Sequence, residues 1–297
     1  MGTEDPLVHI EAATLAGGDN NQDRYAYGDR WAFVLDGASS FSETRPVHDG
    51  AWYAGRLKDA LVERLSTTPS ADLSAIVAEA IQSASAEHDS VGQGPCPTST
   101  IALVRWAGVC GELYVLGDSY CWVRYLDGTE YELVDDRIDA FGSEVRQAYQ
   151  RGLLQGNGFN DEHRRLLADL QAHQLRCRNR PSGYWIAGND PKAAEHARRV
   201  TFSLSEVDKI VLCTDGLRAT GWTLHDIDRQ LSDGNPKEVL KDIQREEAND
   251  RTARQYPRAK RHDDKTVIRL GFRSRYTPPA AEVTGAPAGT TESRRGQ

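Results

Sequence analysis

The chain has 297 residues, a net charge of -8 and an apolar share of 39%, which suits one large domain with a deep core better than two small ones. The acidic balance argues against a nucleic-acid partner, which would need a basic face to neutralise phosphates. No apolar run nears the ~20 residues that cross a bilayer, and the opening MGTEDPLVH lacks the basic and apolar regions of a signal peptide, so a cytoplasmic protein with no membrane partner is expected.

In chain order, the first β-type segment is predicted at residues 24–36. Two amphipathic helices follow: Trp52, Leu57, Leu61 and Leu65 share one face of the first, and Leu73, Ile76, Val77, Ala80, Ile81 and Ala84 one face of the second, with Ser70 as its expected N-cap. Strands are then expected at 99–106, 111–117, 121–126 and 130–134. Residues 135–197 carry few strand signals and read as a flap or insertion, with a helix at 161–175. Strands at 200–203 and 208–214 precede helices at 223–232, after Thr223, and at 236–248, where Pro236 suits the first turn; a last strand is expected at 266–272. This is an α+β order, with helices packed on an antiparallel sheet core, and not the regular alternation of a doubly wound fold. A domain over 1–273 is therefore expected, followed over 274–297 by a tail whose Pro, Gly, Ala and Thr bury too little apolar surface to order. Five scattered cysteines form no C-x-x-C pair, which fits a reducing compartment.

Three segments share one design, an apolar run ending in an acidic turn: WAFVLDG (31–37), ELYVLGDS (112–119) and KIVLCTDG (209–216). Side by side, they would deliver Asp36, Asp118 and Asp215 to one end of a sheet. Asp23 in NNQDRYAY and Asp263 in HDDKTVIRL are further carboxylates at strand ends or turns. Magnesium and manganese prefer oxygen ligands, and two such ions can clamp a phosphoryl group while activating water. A glycine beside an aspartate lets the backbone approach closely and expose its carbonyl as another ligand, and Gly37 is the best case. An isolated Asp-Gly is most often only a turn; the order and setting of these segments are what point to a metal centre.

The ordered set NNQDR, VLDGAS, PTSTIALV, LYVLGDSYCWV, KIVLCTDGL and DDKTVIRL resembles the metal-dependent protein phosphatases, the type 2C serine/threonine phosphatase family, across about residues 8–272. The resemblance implies a four-layer α/β/β/α sandwich of two antiparallel sheets flanked by helices. It also implies two divalent ions, Mg²⁺ or Mn²⁺, held by Asp23, Asp36, the backbone carbonyl of Gly37, Asp215 and Asp263, with Asp36 bridging. Asp118 matches an aspartate that some bacterial relatives use for a third ion. Either Asp263 or Asp264 can be the last ligand, and Asp263 is preferred. The implied chemistry is attack on phosphorus by a water held between the two ions, without a phosphoenzyme.

The chain departs from the family pattern in three places. Gly18 stands where relatives carry a phosphate-holding arginine, so Arg24 and Arg45 are candidates to replace it, or else solvated surface residues. Ala38 stands where some relatives have a histidine that could protonate the leaving group; His48 and His262 are weak substitutes, and no side-chain acid or base is assigned. The segment SGYWIAGNDP (182–191), after an RNR at 178–180, replaces the usual flap motif; Tyr184 and Trp185 either touch a substrate or pack beneath the insertion. The leading function is a monomeric phosphatase of phosphorylated protein substrates. The alternatives are a phosphatase of a small phosphorylated metabolite and a pseudophosphatase that binds a partner without turnover.

Overall fold

The computed structural model describes residues 7–39, 48–91, 94–140, 143–156 and 158–273; Arg45 and the predicted tail over 274–297 lie outside them. The chain runs β1 (Leu7–Leu15), β2 (Arg24–Gly28), β3 (Trp31–Leu35), β4 (Gly37–Ala38), α1 (Gly50–Thr67), α2 (Leu73–Val91), β5 (Thr98–Ser99), β6 (Ile101–Ala107), β7 (Cys110–Leu116), β8 (Tyr120–Tyr125), β9 (Glu130–Val134), α3 (Arg137–Ala140), α4 (Ser143–Leu154), α5 (Asp161–Cys177), β10 (Arg198–Ser203), β11 (Val207–Cys213), α6 (Leu224–Asp233), α7 (Pro236–Asn249) and β12 (Lys265–Arg273). One antiparallel sheet has the order β1-β12-β11-β8-β9, a second β10-β7-β6-β3-β2, and β4 pairs with β5 beside them.

The continuous apolar strands are buried on both faces, as their sequences suggest. In β3, Trp31, Phe33 and Leu35 join Tyr53, Leu57, Leu61 and Ile81 of α1 and α2. The alternate residues Ala32 and Val34 meet Ile210, Leu212, Ile268 and Leu270 of the other sheet. On the far side of that sheet, Val211, Cys213 and Val267 pack against Leu224, Ile227, Leu240 and Ile243 of α6 and α7. Helices, sheet, sheet and helices thus stack in four layers, as the resemblance implied. Each fully buried Leu, Ile, Val or Phe contributes about 1.5–3 kcal/mol, against about 0–1 kcal/mol for an exposed ion pair, so these three interfaces dominate the fold.

Capping explains where the helices start. Asp49 caps α1 by accepting from Trp52 N, Thr223 and Asp226 form a reciprocal capping box on α6, and Pro236 occupies the first turn of α7 behind Asn235. The cap of α2 is Asp72, not Ser70: Asp72 Oδ2 accepts from Ser74 N at 2.9 Å and Ala75 N at 3.3 Å. A carboxylate outcompetes a hydroxyl at a helix N-terminus because it also faces the positive end of the helix dipole.

Two strand boundaries also differ from the sequence expectation. Residues 24–36 hold a hairpin, with β2 pairing β3 from Arg24↔Leu35 to Gly28↔Trp31. β1, which was not expected, pairs with β12 along its nine residues. β1 is an edge strand and largely half-exposed, so LVHIEAATL lacks the dense apolar signature of the interior strands. The 135–197 segment is mostly helical: α4 and α5 close a small core of Tyr149, Leu153 and Leu170, which also takes in Ala253 from the segment after α7. Among the described residues no helix is long and apolar enough to cross a membrane.

Candidate metal centre

Antiparallel register decides where the acidic turns meet. The pairings Arg24↔Leu35, Ile101↔Leu116, Cys213↔Tyr120 and Leu15↔Lys265 bring the ends of β3, β7 and β11 to the same end of the sandwich as the starts of β2, β6, β8 and β12. Asp36, Asp118 and Asp215 leave the first group of strands, while Asp23 and Asp263 precede members of the second. The opposite end, by Ala107 and Cys110, carries a shallow groove of about 710 Å³, well away from these carboxylates.

The five carboxylates act on one another electrically. Burial lifts Asp36 well above the usual carboxylate range, and the charges of Asp215, Asp23 and Asp263 add to that. Asp23 is pushed up to about 8, first by burial and then by Asp264 and Asp263, against hydrogen bonds from Thr214 and Thr266. Asp118 rises to about 7 through burial and Asp215. Asp215 rises to about 6 through burial and Asp263, opposed by a hydrogen bond with Asp36 and by Lys260. Like charges gathered this closely hold protons unless cations neutralise them.

Neighbouring residues set the orientation of each group. Thr214 Oγ1 donates to Asp23 Oδ2 at 2.8 Å and accepts from Thr266 N at 3.0 Å, joining the two sheets through one hydroxyl. Asp36 N donates to Thr100 Oγ1 at 3.2 Å, and that hydroxyl meets Ser119 Oγ at 2.5 Å. A Cβ at Gly37 would stand 2.5 Å from Gly50 O and 2.7 Å from Gln22 O, so only glycine brings this backbone so near its neighbours.

Asp263 and Asp264 take different parts. Asp264 accepts from Gly17 N and Gln22 N, both at 2.8 Å, and so pins the β1–β2 loop. Asp263 Oδ1 receives Lys260 Nζ at 2.7 Å and Asp264 N at 3.0 Å, and its charge acts on Asp36 and Asp215. Lys265 donates to the Asp263 carbonyl and to Glu247 Oε2, both at 2.7 Å.

Among the described residues no three His, Cys, Asp or Glu side chains are closed around a common point at cation distance. Asp23 Oδ2 is engaged by Thr214 and Asp263 Oδ1 by Lys260. One observation still marks the cluster as a fit for cations. Asp23 Oδ1 is buried and has no hydrogen-bond partner, which is costly for an oxygen that takes no ligand. The donor set is all oxygen and suits hard divalent ions of the Mg²⁺ or Mn²⁺ kind.

The other candidates are engaged elsewhere. Arg24 donates to the carbonyls of Asn21 at 2.8 Å, Asp23 at 2.7 Å and Ala51 at 3.2 Å, so its guanidinium braces the loop instead of facing the cleft. His48 stacks on Trp52 with ring centroids 3.7 Å apart and meets His88 Nδ1 at 3.3 Å, while His262 pairs with Glu247. Tyr184 and Trp185 are both buried; Trp185 stacks on His196 and joins the core under α1 and α2, so these aromatics pack. An added Cβ at Gly18 meets nothing within 4 Å, so the space a side chain would fill is open. Sequence reasoning missed Lys260, Thr214, Thr100, Ser119 and the loop-pinning role of Asp264. Thr214 and Thr100 lie inside the quoted motifs, while Lys260 gave only its spacing three residues before Asp263.

The family profile of protein phosphatase 2C matches residues 12–255. Comparison with curated protein sequences finds no match. Among solved structures, the serine/threonine phosphatase PstP/Ppp of Mycobacterium tuberculosis is 16% identical over 89% of this chain and 98% of its own, with a TM-score of 0.56. The catalytic domain of PstP in complex with two manganese ions is 16% identical, over 90% and 99% of the two chains, with a TM-score of 0.57. Stp1 of Staphylococcus aureus is 13% identical, over 90% and 96%, with a TM-score of 0.55. With the profile covering most of its length, the chain belongs to the protein phosphatase 2C family, the metal-dependent serine/threonine phosphatases.

Proposed function

We propose that this chain hydrolyses phosphomonoesters with two divalent ions, acting on phosphoserine or phosphothreonine of proteins. The observation that carries the reading is the convergence of Asp23, Asp36, Asp215 and Asp263 at one end of the sandwich, with a buried Asp23 oxygen left unpartnered. Asp36, Asp215, Asp23, Asp263 and the Gly37 carbonyl are the proposed ligands, with Asp36 bridging, and Asp118 serves a third ion. When bound, such ions supply a water ionised near neutral pH and positive charge for the phosphoryl oxygens.

The chain's own residues prepare this centre. Thr214 aims Asp23, the Thr100 and Ser119 hydroxyls anchor the turn that carries Asp36, and Asp264 fixes the loop that leads into Asp23. Asp23 and Asp36 argue against a pseudophosphatase, because burial and their acidic neighbours raise both above the usual carboxylate range, a cost that bound cations would relieve. A small phosphorylated metabolite is the second reading, favoured by Gly18, where relatives commonly carry a phosphate-holding arginine, and by the altered flap segment at 182–191. The reading also takes the protein to be a cytoplasmic monomer. The test is hydrolysis of p-nitrophenyl phosphate and of a phosphothreonine peptide with Mn²⁺, with EDTA, and in Asp36→Asn and Asp215→Asn. Metal-dependent turnover of both substrates, lost in both variants, is expected. Turnover of the ester alone favours the metabolite reading, and no turnover of either defeats both.

A further inference from the structure

We propose that Lys260 holds the phosphate of the substrate, an inference that rests on the phosphatase reading above. A phosphomonoester dianion entering a carboxylate-lined cleft needs a cation that can reach its non-bridging oxygens. Lys260 Nζ lies 2.7 Å from Asp263 Oδ1, and its side chain is 55% exposed against 26% for Asp263. Its charge acts on Asp36 and Asp215 as well as on Asp263.

Among the described residues, several other cations near the cluster are engaged elsewhere. Lys265 is fully buried against Glu247, and Arg24 is tied to three carbonyls. Arg218 pairs with Glu132 at 2.6 Å over the Tyr120 ring. Arg146, whose charge acts on Asp118, pairs with Asp139 at 2.8 Å and donates to Ile138 O, while its Nε is buried without a hydrogen-bond partner.

The turn that presents Lys260 is braced for position. Arg258, two residues earlier and almost fully buried, donates to the carbonyls of Glu247, Asp250, Tyr256 and Arg261 and to Asp250 Oδ2, all between 2.7 and 3.1 Å. His163 of α5 contacts Ala259 O at 3.1 Å. A floppy surface lysine would need none of this. A fixed backbone with a four-carbon stem would let the ammonium reach a phosphate oxygen nearby if cations took up the charge of Asp263.

The experiment compares wild type, Lys260→Gln and Lys260→Arg, all loaded with Mn²⁺. Inorganic phosphate is titrated calorimetrically, Mn²⁺ is titrated into the metal-free proteins, and KM and kcat are measured on p-nitrophenyl phosphate. The expected result for Lys260→Gln is phosphate binding weakened roughly tenfold or more, as befits a lost charge-assisted bond. KM should rise by a similar factor, kcat should change far less, and Mn²⁺ should bind equally well or more tightly because its competitor for Asp263 is gone. Lys260→Arg should recover most of the phosphate affinity. Phosphate binding within about twofold of wild type in Lys260→Gln overturns the inference, as does a collapse of Mn²⁺ affinity, which would make the lysine a support for Asp263 alone. A wild type that binds phosphate yet shows no Mn²⁺-dependent turnover counts against the phosphatase reading, while the phosphate titration still decides the role of Lys260.

Discussion

Substitution should separate the adjacent Asp263 and Asp264 into a ligand and an anchor. Asp264→Ala deletes the acceptor of two backbone N–H groups, Gly17 N and Gln22 N, each at 2.8 Å. A hydrogen bond to a charged group nets about 1.5–3 kcal/mol, and water recovers part of that at a part-buried site, so the pair is worth about 2–4 kcal/mol. In a chain of this size 1 kcal/mol moves Tm by about 2–4 °C, which predicts a fall of roughly 5–15 °C. Asp263→Asn removes one ion pair with a half-exposed lysine, worth about 0–1 kcal/mol, and relieves repulsion with Asp36 and Asp215. Its Tm in EDTA should stay within about 3 °C of wild type. Its Mn²⁺ affinity should fall by more than the roughly 10–100-fold typical of losing an outer-sphere partner. Thermal melts in EDTA and calorimetric Mn²⁺ titrations read both quantities. Should Asp264→Ala lose Mn²⁺ binding at an unchanged Tm while Asp263→Asn keeps it, the two roles are reversed and the reasoning fails.

Three more outcomes are expected. The Asp23 carboxyl, at about 8 in the fold against 3.8 ordinarily, holds its proton more tightly when folded. Its stabilising contribution is therefore complete below about pH 4 and is lost as the pH rises through about 8. In EDTA the stability of wild type relative to Asp23→Asn should fall as the pH rises over that window; a flat or rising relative stability contradicts the coupling. Glu247→Ala strands the fully buried Lys265 ammonium and should cost about 3–5 kcal/mol in urea unfolding, while Glu247→Leu with Lys265→Met costs much less; equal losses would deny a buried pair. Gly37→Ala forces a Cβ to 2.5 Å from Gly50 O and should destabilise by about 1–3 kcal/mol, whereas Gly18→Ala, with open space around it, should stay within about 0.5 kcal/mol, as melts of the two will show.

Elements whose cause is local were readable in the chain. WAFVL and KIVLC advertise strands buried on both faces, and Thr223 and Pro236 mark helix starts that the structure keeps. The expected N-cap Ser70 stands two residues too early: Asp72, directly before Leu73, caps the helix instead. β1 escaped notice because an edge strand's pairing with β12 comes from a partner some 250 residues away, not from its own pattern.

The sequence by itself determined which residues end the strands, because an apolar run followed by an acidic turn is written in a few adjacent positions. It thereby supplied Asp23, Asp36, Asp118, Asp215 and Asp263 and the family pattern they form. Only the tertiary structure decided which neighbours those groups meet. Antiparallel register carries five distant turns to one end of the sandwich, the Thr214 hydroxyl joins two sheets, and Arg258 holds a turn so that Lys260 faces Asp263. Such contacts depend on through-space distances between segments far apart in the chain, which no local pattern encodes.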